Sequence, residues 1–139
     1  MPYLQETVRG ARAHRRGLDS RQLELVTATI AERIDEPISV SMLSSVLGLS
    51  RSYFSHAFRR SAGLTPHAHV VRLRIERAMT LMAHSEASLS EVALAVGFAD
   101  QSHFSRAFRR LTGLTPAHWR RAHNGSSVRS RDQILLLNA

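Results

Sequence analysis

The side chains of this chain that could do chemistry are guanidinium, imidazole and hydroxyl groups. All 19 basic residues among its 139 residues are arginines, and there is no cysteine. Arginine presents a planar fork that can grip a phosphate, or the edge of a guanine, in two places. His67 and His69 lie two positions apart and diverge on a helix, so they predict no metal site. No acidic pair, Ser/His/Asp arrangement or glycine-rich phosphate loop stands out, so we expect no catalytic residue, no metal and no cofactor.

The placement of the arginines is more informative than their number, because a genome rich in G and C would also favour arginine codons. The net charge is +8, which favours a polyanionic partner, nucleic acid first. No Asp or Glu occurs over residues 37–75 or 101–131, and these two windows hold 12 of the arginines. The chain therefore has two purely basic stretches separated by a mixed one.

The composition excludes several classes of protein. Without cysteine, a disulfide-stapled secreted fold and Cys-based zinc or thiol chemistry are ruled out. No apolar run is long enough for a signal peptide or a transmembrane helix, so we expect no membrane partner and a cytoplasmic location. Pro and Gly together number only 11, and aromatic residues make up 6%. This favours an all-α fold, since β folds need more turn residues.

The two basic stretches are copies of each other. The segment RSYFSHAFRRSAGLTP at 51–66 matches QSHFSRAFRRLTGLTP at 101–116 in 11 of 16 positions, at an offset of 50. Upstream, Ser39-Val40-Ser41 matches Ser88-Leu89-Ser90 at an offset of 49. The one-residue difference falls just after a glycine, which predicts a loop between two elements. Two copies are too few for a solenoid and indicate a duplicated subdomain.

Each copy predicts a helix, a tight turn and a second helix, which is typical of a helix-turn-helix unit. In the second copy, Ser88 and Glu91 form the pattern of a capping box before apolar residues at helical spacing. Gly97 ends that helix, Asp100 caps the next and Gly113 ends it. The same roles in the first copy fall to Ser39, Gly48, Ser50 and Gly63.

Three further helices are predicted outside these pairs. One covers about 21–34 behind a cap at Asp19 or Ser20. Thr65-Pro66 and Thr115-Pro116 each place a cap before a proline at the first helical position. The helix after Pro66 runs to about Ser85, with Val71, Ile75, Ala78 and Met82 on one face. It connects the copies, and at 1.5 Å per residue its roughly 20 residues span about 30 Å.

The second helix of each copy is predicted to have a buried and an exposed face. The buried residues are Phe104, Ala107, Phe108 and Leu111 in the second copy, and Phe54, Ala57, Phe58 and Ser61 in the first. The exposed residues are Ser102, Ser105, Arg106 and Arg109, and Ser52, Ser55, His56 and Arg59. Small hydroxyl residues let a helix approach the floor of the DNA major groove. There, arginine or glutamine can make two hydrogen bonds to the edge of one purine. Arg60 and Arg110 fall further along and predict phosphate contacts.

The pattern A-x-x-x-G-F-x-D-x-S-x-F-S-R-x-F-R-R-x-x-G-x-T-P-x-x-W-R runs from Ala93 to Arg120. It resembles the DNA-binding domain of the AraC/XylS family of bacterial transcription regulators, and the match covers about residues 20–122. The resemblance implies an all-α, homeodomain-like fold of seven helices. Two helix-turn-helix subdomains at 20–64 and 87–122 would be joined by a connecting helix at 65–86. We expect a flexible basic N-terminal segment at 1–19 and a C-terminal tail at 123–139.

The resemblance also implies a function. We expect a sequence-specific regulator, an activator, that inserts two recognition helices into successive major-groove segments of double-stranded DNA, with RNA polymerase as a further partner and a monomeric chain. By alignment, the base-reading residues are Arg51, Ser52, Ser55 and His56, and Gln101, Ser102, His103 and Arg106. The phosphate-binding residues are Arg59, Arg60, Arg109 and Arg110.

Three residues depart from the family pattern: His103 and His69 stand where tyrosine is usual, and Ser44 replaces a common alanine. Because the first copy offers serines and a histidine, we expect the second copy to dominate specificity. Two rival functions remain. One is a basic helical interaction module that binds nucleic acid non-specifically or an acidic protein. The other is a repair protein with cysteine-based methyl transfer, against which the absence of cysteine argues strongly.

Overall fold

Residues 17–124 are described by a computed structural model, and within this range the chain forms seven α-helices and no strand. The helices are α1 (Ser20–Glu32), α2 (Val40–Val46), α3 (Arg51–Ala62), α4 (Pro66–His84), α5 (Leu89–Ala95), α6 (Gln101–Thr112) and α7 (Pro116–Asn124). The predicted all-α class and the seven helices are confirmed. The expectations for residues 1–16 and for the part of the C-terminal tail after residue 124 lie outside the described residues.

Contacts divide the chain into two units. Unit 1 comprises residues 17–33 and 37–70 of the described range, and unit 2 comprises 34–36 and 71–124. The division falls within α4, between Val70 and Val71. The boundaries predicted from the sequence, with the connecting helix as a region of its own, remain a prediction. None of the helices described is long and apolar enough to cross a membrane.

Unit 1 is built on α1, α2 and α3. Asp19 and Gln22 form a reciprocal capping box at the start of α1, with the Asp19 carboxylate accepting from the Gln22 N–H at 2.8 Å. Val26 and Ile30 are fully buried on α1. The other fully buried aliphatic and aromatic side chains of unit 1 are Leu43, Phe54, Ala57 and Phe58.

Unit 2 contains the remainder of α4 with α5, α6 and α7. Its core is one cluster, to which α4 contributes Ile75, Ala78 and Met82 from its predicted face. α5 adds Val92 and Ala93, α6 adds Phe104 and Phe108, and α7 adds Trp119. The aromatic rings pack in sequence: the centroids of Phe104 and Phe108 are 5.7 Å apart, and those of Phe108 and Trp119 are 6.1 Å apart.

The turn between the paired helices has four residues in the first copy, 47–50, and five in the second, 96–100. The insertion predicted after the glycine is therefore real, and it lies in a loop. Gly63 and Gly113 take φ of 78° and 79° as the C-caps of α3 and α6, a left-handed conformation that favours glycine. The caps before both prolines are also present, since Thr65 and Thr115 accept hydrogen bonds from Ala68 N and His118 N.

One predicted core residue is wrong. Ser61 was placed on the buried face of α3, yet it is exposed. Its Oγ accepts a hydrogen bond from Leu18 N at 2.6 Å and donates one to Leu18 O at 2.9 Å. A hydroxyl is stabilised by such partners and gains little from an apolar core. In the second copy, Ala107 and Leu111 are only half-buried, so the fully buried face of α6 is narrower than predicted.

Candidate nucleic-acid interface

The recognition helix of the second copy, α6, is held by its cap and by its aromatic face. Asp100 is the N-cap, and its Oδ1 accepts a hydrogen bond from His103 N at 2.7 Å. Phe104 and Phe108 are fully buried and fix the rotation of the helix about its axis. The residues on the opposite side of α6 therefore face outward, and their spacing along the helix decides which residues these are.

The residues predicted to contact DNA from α6 lie on that outward side. Ser105, predicted exposed, is half-buried. The exposed residues are Gln101, Ser102, His103, Arg106, Arg109 and Arg110. Within residues 17–124 the three guanidinium groups of this set have no hydrogen bond and no ion pair. They are consequently available to an anionic partner.

His103 is exposed but its ring is not isolated. Its centroid lies 5.4 Å from that of Phe98, in an edge-to-face arrangement with 78° between the planes. Phe98 is itself 4% exposed and packs against Phe104 at 5.5 Å. The imidazole at the N-terminal end of α6 is thus positioned by a core aromatic residue in the helix-turn-helix turn. His103 could be predicted from the sequence as a reading residue, whereas its contact with Phe98 could not.

The recognition helix of the first copy, α3, begins with an uncharged cap. Ser50 Oγ accepts from Tyr53 N at 3.2 Å. Tyr53, Phe54, Ala57 and Phe58 are buried, whereas Arg51, Ser52, His56, Arg59 and Arg60 are exposed and Ser55 is half-buried. Tyr53 is 7% exposed, and burial raises the pKa of its phenol. Its counterpart His103 faces solvent, so the two reading faces differ at this position.

Four of the residues predicted to contact DNA from α3 line one depression. Ser52, His56, Arg59 and Arg60 surround a shallow, open volume of about 420 Å³. Two guanidinium groups, an imidazole and a hydroxyl thus meet at one concave place on the helix. Such a set can bind an anionic group by charge and by several hydrogen bonds at once.

The two histidines weighed as a metal pair differ in their surroundings. His67 is exposed, whereas His69 is half-buried, with its ring centroid 5.2 Å from that of Phe58. His69 Nε2 also shares a hydrogen bond with Thr27 Oγ1 at 3.0 Å. It takes the place that Trp119 takes beside Phe108 in the second copy. Among the described residues no group of three or more metal-binding side chains comes together.

Two arginines support the site without belonging to it. Arg74 donates from Nε to Ile34 O at 3.1 Å and from Nη2 to Glu36 O at 2.8 Å, and burial lowers its pKa. Arg120 donates in the same way to Met82 O at 3.3 Å and Ser85 O at 3.2 Å. Arg74 thus binds carbonyl groups between α1 and α2, and Arg120 binds one carbonyl group in the last turn of α4 and one just after that helix. Arg120 is the last residue of the family pattern, but neither its acceptors nor those of Arg74 could be predicted from the sequence.

A family model for a helix-turn-helix domain matches residues 43–122, more than half of the chain. The fold is also similar to a transcriptional regulator of Chromobacterium violaceum with an AraC-type DNA-binding domain, at a TM-score of 0.72 and 27% identity. That match covers 77% of this chain and 95% of the solved one. This chain belongs to the AraC-type helix-turn-helix family. The resemblance inferred from the Ala93–Arg120 pattern is confirmed.

Two further relatives extend the comparison of this AraC-type chain. The DNA-binding domain of AdpA, a global transcriptional factor solved in complex with a target DNA, matches at a TM-score of 0.70 and 29% identity. That match covers 76% of this chain and 95% of the AdpA domain. The probable transcriptional regulator LumQ of Photobacterium leiognathi is 42% identical over 77 residues. The aligned part is 55% of this chain and 31% of LumQ, so the chain spans less than a third of that relative.

Proposed function

We propose that this AraC-type chain is a transcription regulator that binds double-stranded DNA by sequence. The observation that carries the proposal is the repeated outward face of α3 and α6, arginine and hydroxyl residues opposite a buried aromatic face. A helix about 10–12 Å across fits the major groove of B-DNA, which is about 12 Å wide. The deep, narrow major groove of RNA excludes it.

The proposed roles divide between base edges and phosphates. The proposed base-reading residues are Arg51, Ser52, Ser55 and His56 on α3, and Gln101, Ser102, His103 and Arg106 on α6. The proposed phosphate-binding residues are Arg59, Arg60, Arg109 and Arg110. We expect α6 to dominate specificity, because two of its proposed base-reading residues, Gln101 and Arg106, can each make two hydrogen bonds to one purine, whereas on α3 only Arg51 can do so. Exposure of eleven of these twelve residues, Ser55 being half-buried, supports the assignment.

The remaining parts of the proposal concern the cellular role. We propose activation of transcription through RNA polymerase, on the family resemblance alone. The chain would act as a monomer, without catalysis, in the cytoplasm, where a bacterial promoter is found. Sedimentation of the chain with a single-site duplex tests the monomer: a complex of two chains per site would contradict it. Transcription in vitro from that site, with and without the chain, tests activation.

Selection of binding sites from random duplex DNA at near-physiological salt tests the proposed function directly. The expected result is a motif in two halves about 10 base pairs apart, one for each recognition helix. An absence of any enriched motif, with binding that only weakens steeply as salt rises, would contradict sequence-specific binding. That outcome would favour the rival, a basic module that grips nucleic acid through its phosphates.

A further inference from the structure

His103 and its counterpart Tyr53 differ in exposure as well as in chemistry. Each is the third residue of a recognition helix, His103 on α6 and Tyr53 on α3. Tyr53 is 7% exposed, whereas His103 is exposed. The third position of α6 can therefore offer an imidazole to a base edge, while the same position of α3 is directed into the protein.

The turns that precede the two helices differ at the residue equivalent to Phe98. In the second copy this residue is aromatic, and its ring centroid lies 5.4 Å from that of His103 with 78° between the planes. The first copy has Leu49 at the equivalent position, which cannot make such a ring contact. The extra residue of the second turn also falls between Phe98 and the start of α6. The exposed imidazole thus occurs together with an aromatic partner and a longer turn.

His103 is restrained through its main chain and through its ring. Asp100 Oδ1 accepts a hydrogen bond from His103 N at 2.7 Å, which fixes the backbone in the first turn of α6. Phe98 contacts the ring, and it is itself 4% exposed and packs against Phe104 at 5.5 Å between centroids. Because a close-packed core leaves a side chain little room to move, Phe98 is a firm support. The imidazole is consequently held in place while it stays exposed.

We propose that Phe98 is a positioning residue for sequence recognition, which holds the His103 imidazole in the orientation in which it reads one base pair of the α6 half-site. The inference rests on the proposed function, since it needs α6 to lie in a major groove. A side chain that is restrained before binding loses less rotamer freedom in the complex. It also presents its nitrogen atoms at fixed places, and base pairs are distinguished by where their donors and acceptors lie in the groove. Phe98 thereby contributes to selectivity through His103.

Selection of sites from random duplex DNA identifies the base pair that His103 reads. The wild-type chain and His103→Ala are compared, and the position at which His103→Ala loses its preference is named the His103 base pair. Phe98→Leu introduces the side chain that Leu49 has in the first copy. It should lower the preference at the His103 base pair by roughly twofold to tenfold, measured as a ratio of dissociation constants, because the ring is released. The preferences at the other base pairs should be retained.

Two comparisons separate positioning from a general loss of packing. Phe108→Leu is the matched control, because Phe108 belongs to the same core cluster and its ring packs against those of Phe104 and Trp119. It should lower stability and leave the preference at the His103 base pair unchanged. In the His103→Ala background, Phe98→Leu should cause no further loss of that preference, because no imidazole is left to position. Losses that add up in the double variant would overturn the proposal.

The contact can also be measured without any substitution. In the full wild-type chain bound to its selected duplex, a nuclear Overhauser effect is expected between the ring protons of Phe98 and His103. The restraint must persist in the complex if it serves recognition. An absence of this signal in the complex would overturn the proposal, and the measurement does not depend on whether Phe98→Leu folds.

Two further results would overturn the role of Phe98 and leave the proposed function intact. One is a preference at the His103 base pair that Phe98→Leu retains in full. The other is a selected motif in which His103→Ala loses no preference at any position. A wild-type chain that selects no motif would overturn the proposed function and this inference together. The selection with the wild-type chain therefore distinguishes the two failures.

Discussion

Arg106 is the side chain from which the largest loss of specific binding is expected. It is exposed on α6 and makes no hydrogen bond or ion pair within residues 17–124, so its fork is available to a guanine edge. Arg106→Ala should lower specific affinity by about 1–3 kcal/mol, the value of one good bidentate contact. His56→Ala should lose less. Dissociation constants of both variants on the selected duplex give the comparison, and the reverse ranking would contradict the dominance of α6.

Arg109 supplies the matched control for that prediction. It is an arginine on the same helix, exposed in the same way, and is proposed to bind phosphate. Arg109→Ala should weaken binding to every sequence alike and reduce the salt slope by about 0.9, without changing the selected motif. If Arg109→Ala also altered the motif, the division into reading and positioning arginines would be wrong.

Gly97 and Gly48 occupy equivalent turns but have different surroundings. Both have positive φ, 95° and 67°, which costs a side-chain residue about 1–2 kcal/mol. A Cβ on Gly97 would also come within 2.8 Å of Arg74 Nε and press on Ile34 O, whereas nothing lies within 4 Å at Gly48. Gly97→Ala should therefore lower the free energy of unfolding by at least about 1 kcal/mol more than Gly48→Ala, because overpacking adds to the backbone strain. Urea denaturation of the two variants measures the difference, and equal losses would contradict it.

Tyr53 gives the chain a pH dependence on the alkaline side. Burial raises the pKa of its phenol above the ordinary value of about 10, because the folded state disfavours the phenolate. The associated stability is fully present below pH 10 and is lost as the pH rises through the raised value. Tyr53→Phe should remove this part of the decline. Denaturation from pH 8 upward compares the two chains, and parallel curves would show that Tyr53 does not contribute.

At the scale of the element, the cap of α6 combines two effects that can be separated. Asp100 accepts from His103 N at 2.7 Å and also places a carboxylate at the end of the helix proposed to meet DNA. Asp100→Ala should cost about 1 kcal/mol of stability through the lost cap. Asp100→Asn keeps a capping oxygen and removes the charge, so it should retain most of the stability and bind DNA more tightly at low salt. Thermal unfolding and DNA affinity are measured on both variants. Equal stability of Asp100→Ala and Asp100→Asn would contradict the role of the cap, and an unchanged affinity of Asp100→Asn at low salt would contradict the role of the charge.

The helices themselves could be predicted from the sequence almost to their ends. Caps at Ser39, Ser50, Ser88 and Asp100 act through local hydrogen bonds, which the order of residues alone specifies. A full capping box is present at Asp19 and Gln22. At Ser88 and Glu91, where the sequence predicts one, only the Ser88 half is present: its side chain accepts a hydrogen bond from Glu91 N at 3.1 Å. Local signals of this kind need no knowledge of the tertiary structure.

The partners of polar side chains could not be predicted, because they depend on which distant segments come together. Helical spacing alone predicts Ser61 on the buried face of α3. The structure shows instead that its hydroxyl donates a hydrogen bond to the main chain of Leu18. Tyr53 is not at one of the helically spaced positions that predicted the buried face of α3. The periodicity therefore did not predict its burial. The exposed residues of α3 and α6 were predicted correctly, with the exception of half-buried Ser55 and Ser105. For these, helical spacing against a strongly aromatic face is sufficient.

At the scale of the whole molecule, the duplication has produced two copies of unequal chemistry. The first copy has a serine cap, a buried tyrosine and a depression lined by two arginines. The second has an aspartate cap, an exposed histidine set against Phe98, and a glutamine at the first helical position. A helix start without a carboxylate suits an anion better, since the positive end of the helix dipole is not neutralised. We therefore expect the first copy to contribute more of the affinity and the second more of the selectivity.

Residues 34–36 follow α1 in the chain, yet they belong to unit 2. Each unit is consequently assembled from two separate pieces of sequence. A gene fragment covering 71–124 would encode Arg74 without the Ile34 and Glu36 carbonyl groups that it binds, and one ending at Val70 would encode the carbonyl groups without the guanidinium. Recombination could not transplant one helix-turn-helix copy by a single crossover without breaking this set of bonds. We therefore expect neither copy to keep these bonds when it is transferred alone.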